Sequence, residues 1–222
     1  ESLFGPQGLG VRRANPSTVK RLGVYGGAFD PPHRAHTELA QAAVVQLQLD
    51  ALHILPTGQA WHKDRALTDA AHRLAMTRLA FAEVPHAQVD PREIERAGPT
   101  YTVDTLRELA LEYPGAPLFL LMGADQAKAL SQWHEIGEIT RLAIIAIAER
   151  DAPEMSLAQG HVHSQLVKPV VQADFRQIVL PLMPHSATDI RTRVASGHPL
   201  NALVCEAVAR YIQDNHLYQT AR

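Results

Sequence analysis

The sequence predicts an α/β fold: a doubly wound parallel sheet covered by helices, followed by a small C-terminal helical subdomain. Three observations lead there. Strand-length apolar runs recur along the chain, most clearly at 118–122 and 142–147, and strands that are apolar throughout belong to parallel sheets buried on both faces. Segments with apolar residues at helical spacing alternate with those runs, as βαβ units require. After residue 183 the strand signals stop and two helical patterns follow one another.

Residues 1–20, rich in Gly, Pro, Ser and Asn and without periodicity, read as a flexible leader. The α/β domain, 21–183, opens with a strand through Leu22, Val24 and Tyr25 that runs into Gly26-Gly27. A helix follows Pro31-Pro32, from near His36 to Leu47, with Leu39, Ala43 and Leu47 at spacing four. A short strand at 52–55 comes next. A helix over 69–83 has Asp69 near its start and Leu74 and Leu79 on its apolar face. Gln88-Val89 is a weak strand. The stripe of Val103, Leu106 and Leu109-Ala110 predicts a helix over 102–112. Residues 118–122 form a strand, 125–130 open a helical segment, and 142–147 and 178–180 are further strands. Residues 184–222 carry helices over 188–195 and 202–215 on either side of Gly197, within the same domain.

The 222 residues contain 21 Lys+Arg and 23 Asp+Glu, a formal charge of −2. That balance argues against a nucleic-acid partner, whose electrostatic footprint is a basic excess. Hydrophobic residues at 46% and charged residues at 20% are ordinary for a globular chain. The single cysteine, Cys205, excludes an internal disulfide and a Cys-rich zinc site, and in a tail helix it reads as a buried structural thiol. The longest apolar run, 142–148, is far short of the ~18 residues that suggest a membrane span. The N-terminus carries no signal-peptide core. The expectation is a cytoplasmic protein with no membrane partner.

Ligands of open parallel sheets bind at the carboxyl ends of the strands. The loop after the first strand reads Gly26-Gly27-Ala28-Phe29-Asp30-Pro31-Pro32-His33-Arg34-Ala35-His36. Glycines let backbone approach a ligand closely, a helix start offers N–H groups to an anion, and imidazoles can donate to phosphate oxygens. By itself an HxxH also fits a solvated helix start or half of a metal site, although zinc helices space histidines i, i+4. The dinucleotide G-x-G-x-x-G and P-loop patterns are absent. Near the C-terminus, His185-Ser186-Ala187-Thr188-Asp189-Ile190-Arg191 combines a capping hydroxyl with an arginine one turn into a helix. The planar guanidinium can grip a phosphate in two bonds, but taken alone the segment favours a plain N-cap with a solvated arginine. His161 and His163 read as surface residues, and His53, His72, His86 and His198 carry no argument.

Taken with its context, the first loop resembles the GxFDPxHxGH signature of the HxGH nucleotidyltransferases. That resemblance implies a Rossmann-like fold and transfer of a nucleotidyl group from a nucleoside triphosphate to a phosphate monoester. Ala28 stands where the family often has Thr, and Ala35 where it usually has Gly. Alanine disfavours a positive φ, so the turn at Ala35 must use ordinary dihedrals. The segment from Ser186 to Arg191 resembles the ISSTxIR signature, with Ala187 for the middle Ser. Gly98 to Leu106 resembles the GPSYTVDTL segment of the nicotinate-nucleotide adenylyltransferases. Gly123-Ala124-Asp125 followed by Trp133 is similar to their GAD…W segment. Trp61-His62-Lys63 is similar to the end of their PPHK loop, with Trp61 departing from Pro, and Tyr211-Ile212 with His216-Leu217-Tyr218 to their C-terminal ending. The resemblance covers residues 21–218.

The resemblance implies two small-molecule partners, ATP and nicotinate mononucleotide, joined to give nicotinate adenine dinucleotide and pyrophosphate. The attack would be direct and in-line, with no covalent intermediate. His33, His36, Lys63 and Arg191 are the implied catalytic residues. ATP would be met by Gly26, Gly27, Ala28, Phe29 and His36, by Gly123 and Asp125, and by Ser186, Thr188, Ile190 and Arg191. The pyridine nucleotide would be met by Asp30, Lys63, Thr100, Tyr101, Thr102, Trp133 and His134. Mg²⁺ is expected on the ATP phosphates, since no carboxylate cluster suggests a protein metal site. Asp30 suits either a water of that ion or the turn that Asp-Pro initiates. Asp125 suits a ribose hydroxyl or an N-cap, and Trp133 the pyridine ring or the core. The loop 57–67, with Gly58 and Lys63, is expected to move on binding. A phosphopantetheine adenylyltransferase and a nucleotide-sensing module without turnover are the competing readings. Nicotinate against nicotinamide preference is open, as is a homo-oligomer.

Overall fold

The computed structural model describes residues 15–58, 66–150, 173–181 and 186–219. Six strands form one sheet: β1 (Leu22–Gly27), β2 (Ala51–Pro56), β3 (Ala87–Val89), β4 (Leu118–Gly123), β5 (Ala143–Arg150) and β6 (Phe175–Leu180). Their order is β3-β2-β1-β4-β5-β6 and every neighbouring pair is parallel. The helices are α1 (Arg34–Gln46), α2 (Ala70–Phe81), α3 (Arg92–Glu95), α4 (Thr102–Glu112), α5 (Ala124–Lys128), α6 (Ile136–Leu142), α7 (Ala187–Ala195) and α8 (Glu206–Asp214).

The strand side chains divide with a period of two. Leu22 and Val24, Leu118, Leu120 and Met122, and Ala143, Ile145 and Ile147 enter the core beneath α4 and α6. Tyr25, Phe119, Leu121, Ala146 and Ala148 enter the opposite core beneath α1. A third cluster joins Met76 of α2 to Ile190 of α7 and to Leu203, Val208 and Ile212 around α8. The chain leaves β1 toward β2 on one side and returns to β4 on the other. The order therefore reverses between β1 and β4, and a crevice opens there at the carboxyl ends of the strands.

Several elements differ from expectation for local reasons. Val19, within the stretch read as a leader, is buried in the core, and Asp50 accepts from the N–H groups of Lys20 and Arg21 at 2.9 Å. The remainder of the leader, 1–14, lies outside the described residues, as do His161 and His163. Leu142 closes α6 and the strand starts at Ala143, so one apolar run served two elements. The last helix starts at Glu206, not at 202, because Ala202 takes a φ of 67°. Cys205 caps that helix and is exposed, not buried. Helix α2 is turned from its expected face: Leu79 is exposed while Arg73, Met76 and Thr77 point inward. At the edge strand β6, the Gln46 side-chain amide donates to the Val179 carbonyl and accepts from its N–H, each at 3.0 Å. Those bonds satisfy backbone groups that an edge otherwise presents to another chain.

One histidine without a sequence argument proves structural. His53 on β2 is 3% exposed. Its Nδ1 donates to Asp90 at 2.8 Å, and its Nε2 lies 3.0 Å from the Tyr113 hydroxyl. Asp90 also pairs with Arg92 at 2.7 Å, and Arg92 reaches Glu112 at 2.7 Å, which ties α3 and α4 to this edge of the sheet. Burial alone would raise the Asp90 carboxyl, but bonds from His53 and Arg92 hold it well below the ordinary carboxylate range. Removing one member of such a buried set strands the others. Asp90→Ala is therefore expected to cost about 3 kcal/mol in urea unfolding at neutral pH. A depressed pKa stabilises above the unfolded value of 3.8 and is lost as pH falls through the folded one. The wild-type advantage over Asp90→Ala should shrink when unfolding is repeated below that value.

Candidate active site

The loop leaving β1 turns on Phe29, whose φ is 47°. A phenylalanine in the left-handed region needs compensation, and its ring finds it in the core. It is 1% exposed and packs edge-on against Tyr25, His36 and Phe81 with centroids at 5.6, 5.1 and 5.4 Å. The side chain thus anchors the loop, leaving only its backbone to meet a nucleotide. Next to it, Asp30 is 2% exposed. One carboxylate oxygen accepts from the Tyr218 hydroxyl at 2.6 Å and the other from the Thr68 N–H at 3.1 Å. Burial, and then the Asp30 carboxylate, push the Tyr218 phenol upward, so it stays a donor. The Asp30 carboxylate thus ties this turn to the segments at Thr68 and Tyr218.

The Asp30 carbonyl accepts from Nη1 of Arg191 at 2.8 Å, and Nη2 of the same arginine donates to the Thr188 hydroxyl at 3.0 Å. Arg191 is thereby held between the two loops that carried the motifs. Ser186 caps α7 through the Asp189 N–H, and its own N–H donates to the Asp189 carboxylate at 2.8 Å. Ile190 is fully buried, so its side chain fastens α7 to α2 and α8 and does not face a ligand.

His33 is the N-cap of α1 and His36 lies one turn in. Their rings stack at 3.8 Å between centroids. The His33 N–H donates to Nδ1 of His36 at 3.1 Å, which leaves the proton of neutral His36 on Nε2, a donor nitrogen. Ala35 lies inside the helix and needs no positive φ. The Arg34 N–H donates to the Leu203 carbonyl at 2.9 Å, tying this helix start to the C-terminal segment.

Beside this loop, at the switch between β1 and β4, lies a cavity of about 600 Å³. Gly26, Gly27 and Ala28 form one wall, and Thr100, Tyr101, Thr102, Glu93 and Thr105 another. Asp125, Trp133 and His134 close it. Tyr101 and His134 stack at 4.2 Å. Trp133 packs against the core while lining the cavity. Asp125 lies exposed at the rim and pairs with Lys128 at 3.1 Å. Gly123, at the end of β4, is the N-cap of α5. Lys63 and most of the loop 57–67 lie outside the described residues, as do Trp61, His62 and His185. Among the described residues no three His, Cys, Asp or Glu side chains gather to hold a metal ion, and no helix is long and apolar enough to cross a membrane.

Two positioning residues escaped the sequence reading. Arg73, 2% exposed, donates to the carbonyls of Thr57 at 2.8 Å, Thr68 at 2.8 Å and Ala28 at 3.0 Å. It satisfies loop carbonyls that burial would otherwise orphan. Its signal was present, since Arg73 shares a helical face with Met76 and Thr77. Glu93 is buried in the cavity wall, and no spacing pointed to it.

A family model described as cytidylyltransferase-like matches residues 24–193. A relative from Albidiferax ferrireducens named "Probable nicotinate-nucleotide adenylyltransferase" is 52% identical over 203 residues, spanning 91% of this chain and 100% of its own. One of the same name from Methylibium petroleiphilum is 41% identical over 212 residues, 94% of this chain and 97% of its own. A solved structure, Plasmodium falciparum nicotinic acid mononucleotide adenylyltransferase complexed with NaAD, superposes with a TM-score of 0.69 at 19% identity, covering 91% of this chain and 98% of that one. At that identity it shares the fold.

Two substitutions test this geometry. Tyr218→Phe deletes a bond to a buried carboxylate and should lower the unfolding free energy by about 1.5–3 kcal/mol in urea titration. A Cβ at Gly58 would lie 2.2 Å from the Glu93 carbonyl oxygen. Gly58→Ala should therefore displace the loop after β2 and destabilise by about 1–3 kcal/mol, read as a lowered melting temperature.

Proposed function

The chain belongs to the nicotinate-nucleotide adenylyltransferases of the cytidylyltransferase-like family, and we propose that it joins ATP to nicotinate mononucleotide by direct in-line attack, with no covalent intermediate. The observation that carries this reading is the junction at Asp30. There Arg191 of the second motif is bonded to the loop that presents His33 and His36, beside a cavity at the strand-order reversal.

The substrate phosphate oxygen forms a bond to the α-phosphorus of ATP, and the α–β bridging bond breaks to release pyrophosphate. The attacking phosphate is already an anion at neutral pH, so no strong base is needed. The barrier is repulsion between anions and charge building on the leaving group, and catalysis is then positioning and electrostatic stabilisation. His36 donates from Nε2 to the triphosphate, His33 contacts it at the helix start, and Arg191 holds its β/γ end. Thr188 and Ser186 border that end, and Lys63, which follows β2 in the sequence, is assigned to the phosphates on its motif alone. Gly26, Gly27 and Ala28 give the nucleotide close passage along β1. The Gly123–Asp125 side takes the adenosine, while Thr100, Tyr101, Thr102, Trp133 and His134 surround the pyridine ring. Mg²⁺ would be carried by the triphosphate and would offset its charge, since the described residues gather no three His, Cys, Asp or Glu side chains to hold it.

A charge-assisted contact to the phosphates contributes roughly 1.5–3 kcal/mol. His33→Ala and Arg191→Ala are each expected to lower kcat by about tenfold to several hundredfold, measured as pyrophosphate release with ATP, Mg²⁺ and nicotinate mononucleotide. Wild-type turnover of phosphopantetheine in place of the pyridine nucleotide would contradict the assignment of the cavity. ATP binding without turnover of either would favour a nucleotide sensor.

A further inference from the structure

The cavity wall contains one acid that the reaction above does not use. Glu93 is 7% exposed. Its carboxyl accepts from the Thr105 hydroxyl at 2.8 Å, and its backbone carbonyl accepts from the Thr100 hydroxyl at 3.2 Å. Thr100 and Thr105 line the same cavity as Glu93, which holds both of them in that wall. Among the described lining residues none is Lys or Arg, and the other acid, Asp125, is exposed and paired with Lys128. The lining also holds His134, exposed and 3.3 Å from Glu135, and Arg96 donates to the Thr105 hydroxyl at 3.3 Å from outside it; Glu93 is the buried acid among the described lining residues.

We infer that Glu93 is a specificity-determining residue that admits a carboxylate-bearing pyridine nucleotide when its carboxyl carries a proton and disfavours it when ionised. The inference rests on the reading of this cavity as the pyridine site. Burial is the dominant influence on Glu93 and raises its pKa, which stands at about 7. The Thr105 bond and the Arg96 charge favour the carboxylate, whereas Asp90 and Glu108 oppose it. Arg96 is itself engaged with Glu108 at 2.7 Å, and Asp90 with Arg92 and His53. A neutral Glu93 presents no repulsion to a pyridine carboxylate. As pH rises through this range a like charge develops in the wall, and at close approach in a partly desolvated site it is expected to weaken binding about tenfold. A carboxamide carries no charge and escapes the penalty.

The test compares KM for nicotinate mononucleotide with the inhibition constant of nicotinamide mononucleotide, at saturating ATP, from pH 6 to pH 8.5. Both ligands carry the same titrating phosphate, so its ionisation cancels in the ratio. The ratio should rise about tenfold across that range in the wild type. It should stay flat in Glu93→Gln, which keeps an acceptor for Thr105 but cannot ionise, and the slope should persist in Glu93→Asp. A flat wild-type ratio overturns the inference without need of any variant, and a slope retained in Glu93→Gln does the same. Failure of the wild type to use nicotinate mononucleotide at all would instead remove the assignment of the cavity, and this inference with it.

Discussion

The site depends on the bonds made to a single buried aspartate. Asp30 draws in Thr68 from the segment before α2, Arg191 from α7 and Tyr218 from beyond α8. These partners lie 38, 161 and 188 residues away in sequence. A carboxylate taken out of water must be satisfied by hydrogen bonds, which Thr68 and Tyr218 supply, and the Asp30 backbone carbonyl takes its partner from Arg191, so all three segments converge on the loop after β1. That convergence places the arginine of one motif beside the histidines of the other. The C-terminal helices border the histidine loop for this reason, and the third core cluster supplies the apolar packing that keeps them there.

Arg73 plays the complementary part. Where Asp30 gathers donors, the Arg73 guanidinium gathers carbonyls from both loops that border the crevice, those after β1 and β2. Backbone bent around a ligand site cannot pair with a strand or helix, and its carbonyls need another partner. An arginine on the inward face of α2 meets that need with a planar fork that serves several acceptors. Loop shape is thus written partly on a helix that makes no contact with the cavity.

The two ends of the site use different physics. The end around the histidine loop is built from donors: the Nε2 proton of His36, the helix start it shares with His33, and Arg191. The cavity is built from aromatic faces and hydroxyls, with Glu93 holding Thr100 and Thr105. A charged ligand at the first end gains from every donor. At the second, the described wall offers no lysine or arginine, and its ionisable side chains include the exposed His134 and the buried Glu93.

Much of this was legible in the residues alone. Apolar runs with a period of two buried on both faces, alternating with helical stripes such as Val103, Leu106 and Leu109, specify a parallel α/β sheet because no other arrangement covers them. The glycine pair, the HxxH and the capped arginine singled out the two segments that the Asp30–Arg191 bond joins. Tertiary structure decided the rest. Leu142 ended a helix although it headed an apolar run, α2 turned Arg73 inward at the expense of Leu79, and Cys205 surfaced at a cap. His53 and Glu93, silent by spacing, became buried polar hubs. The physical reason is common to all of these. Periodicity and capping act over one or two turns of chain, whereas which polar groups are buried, and by what they are satisfied, depends on segments that meet only in the folded molecule.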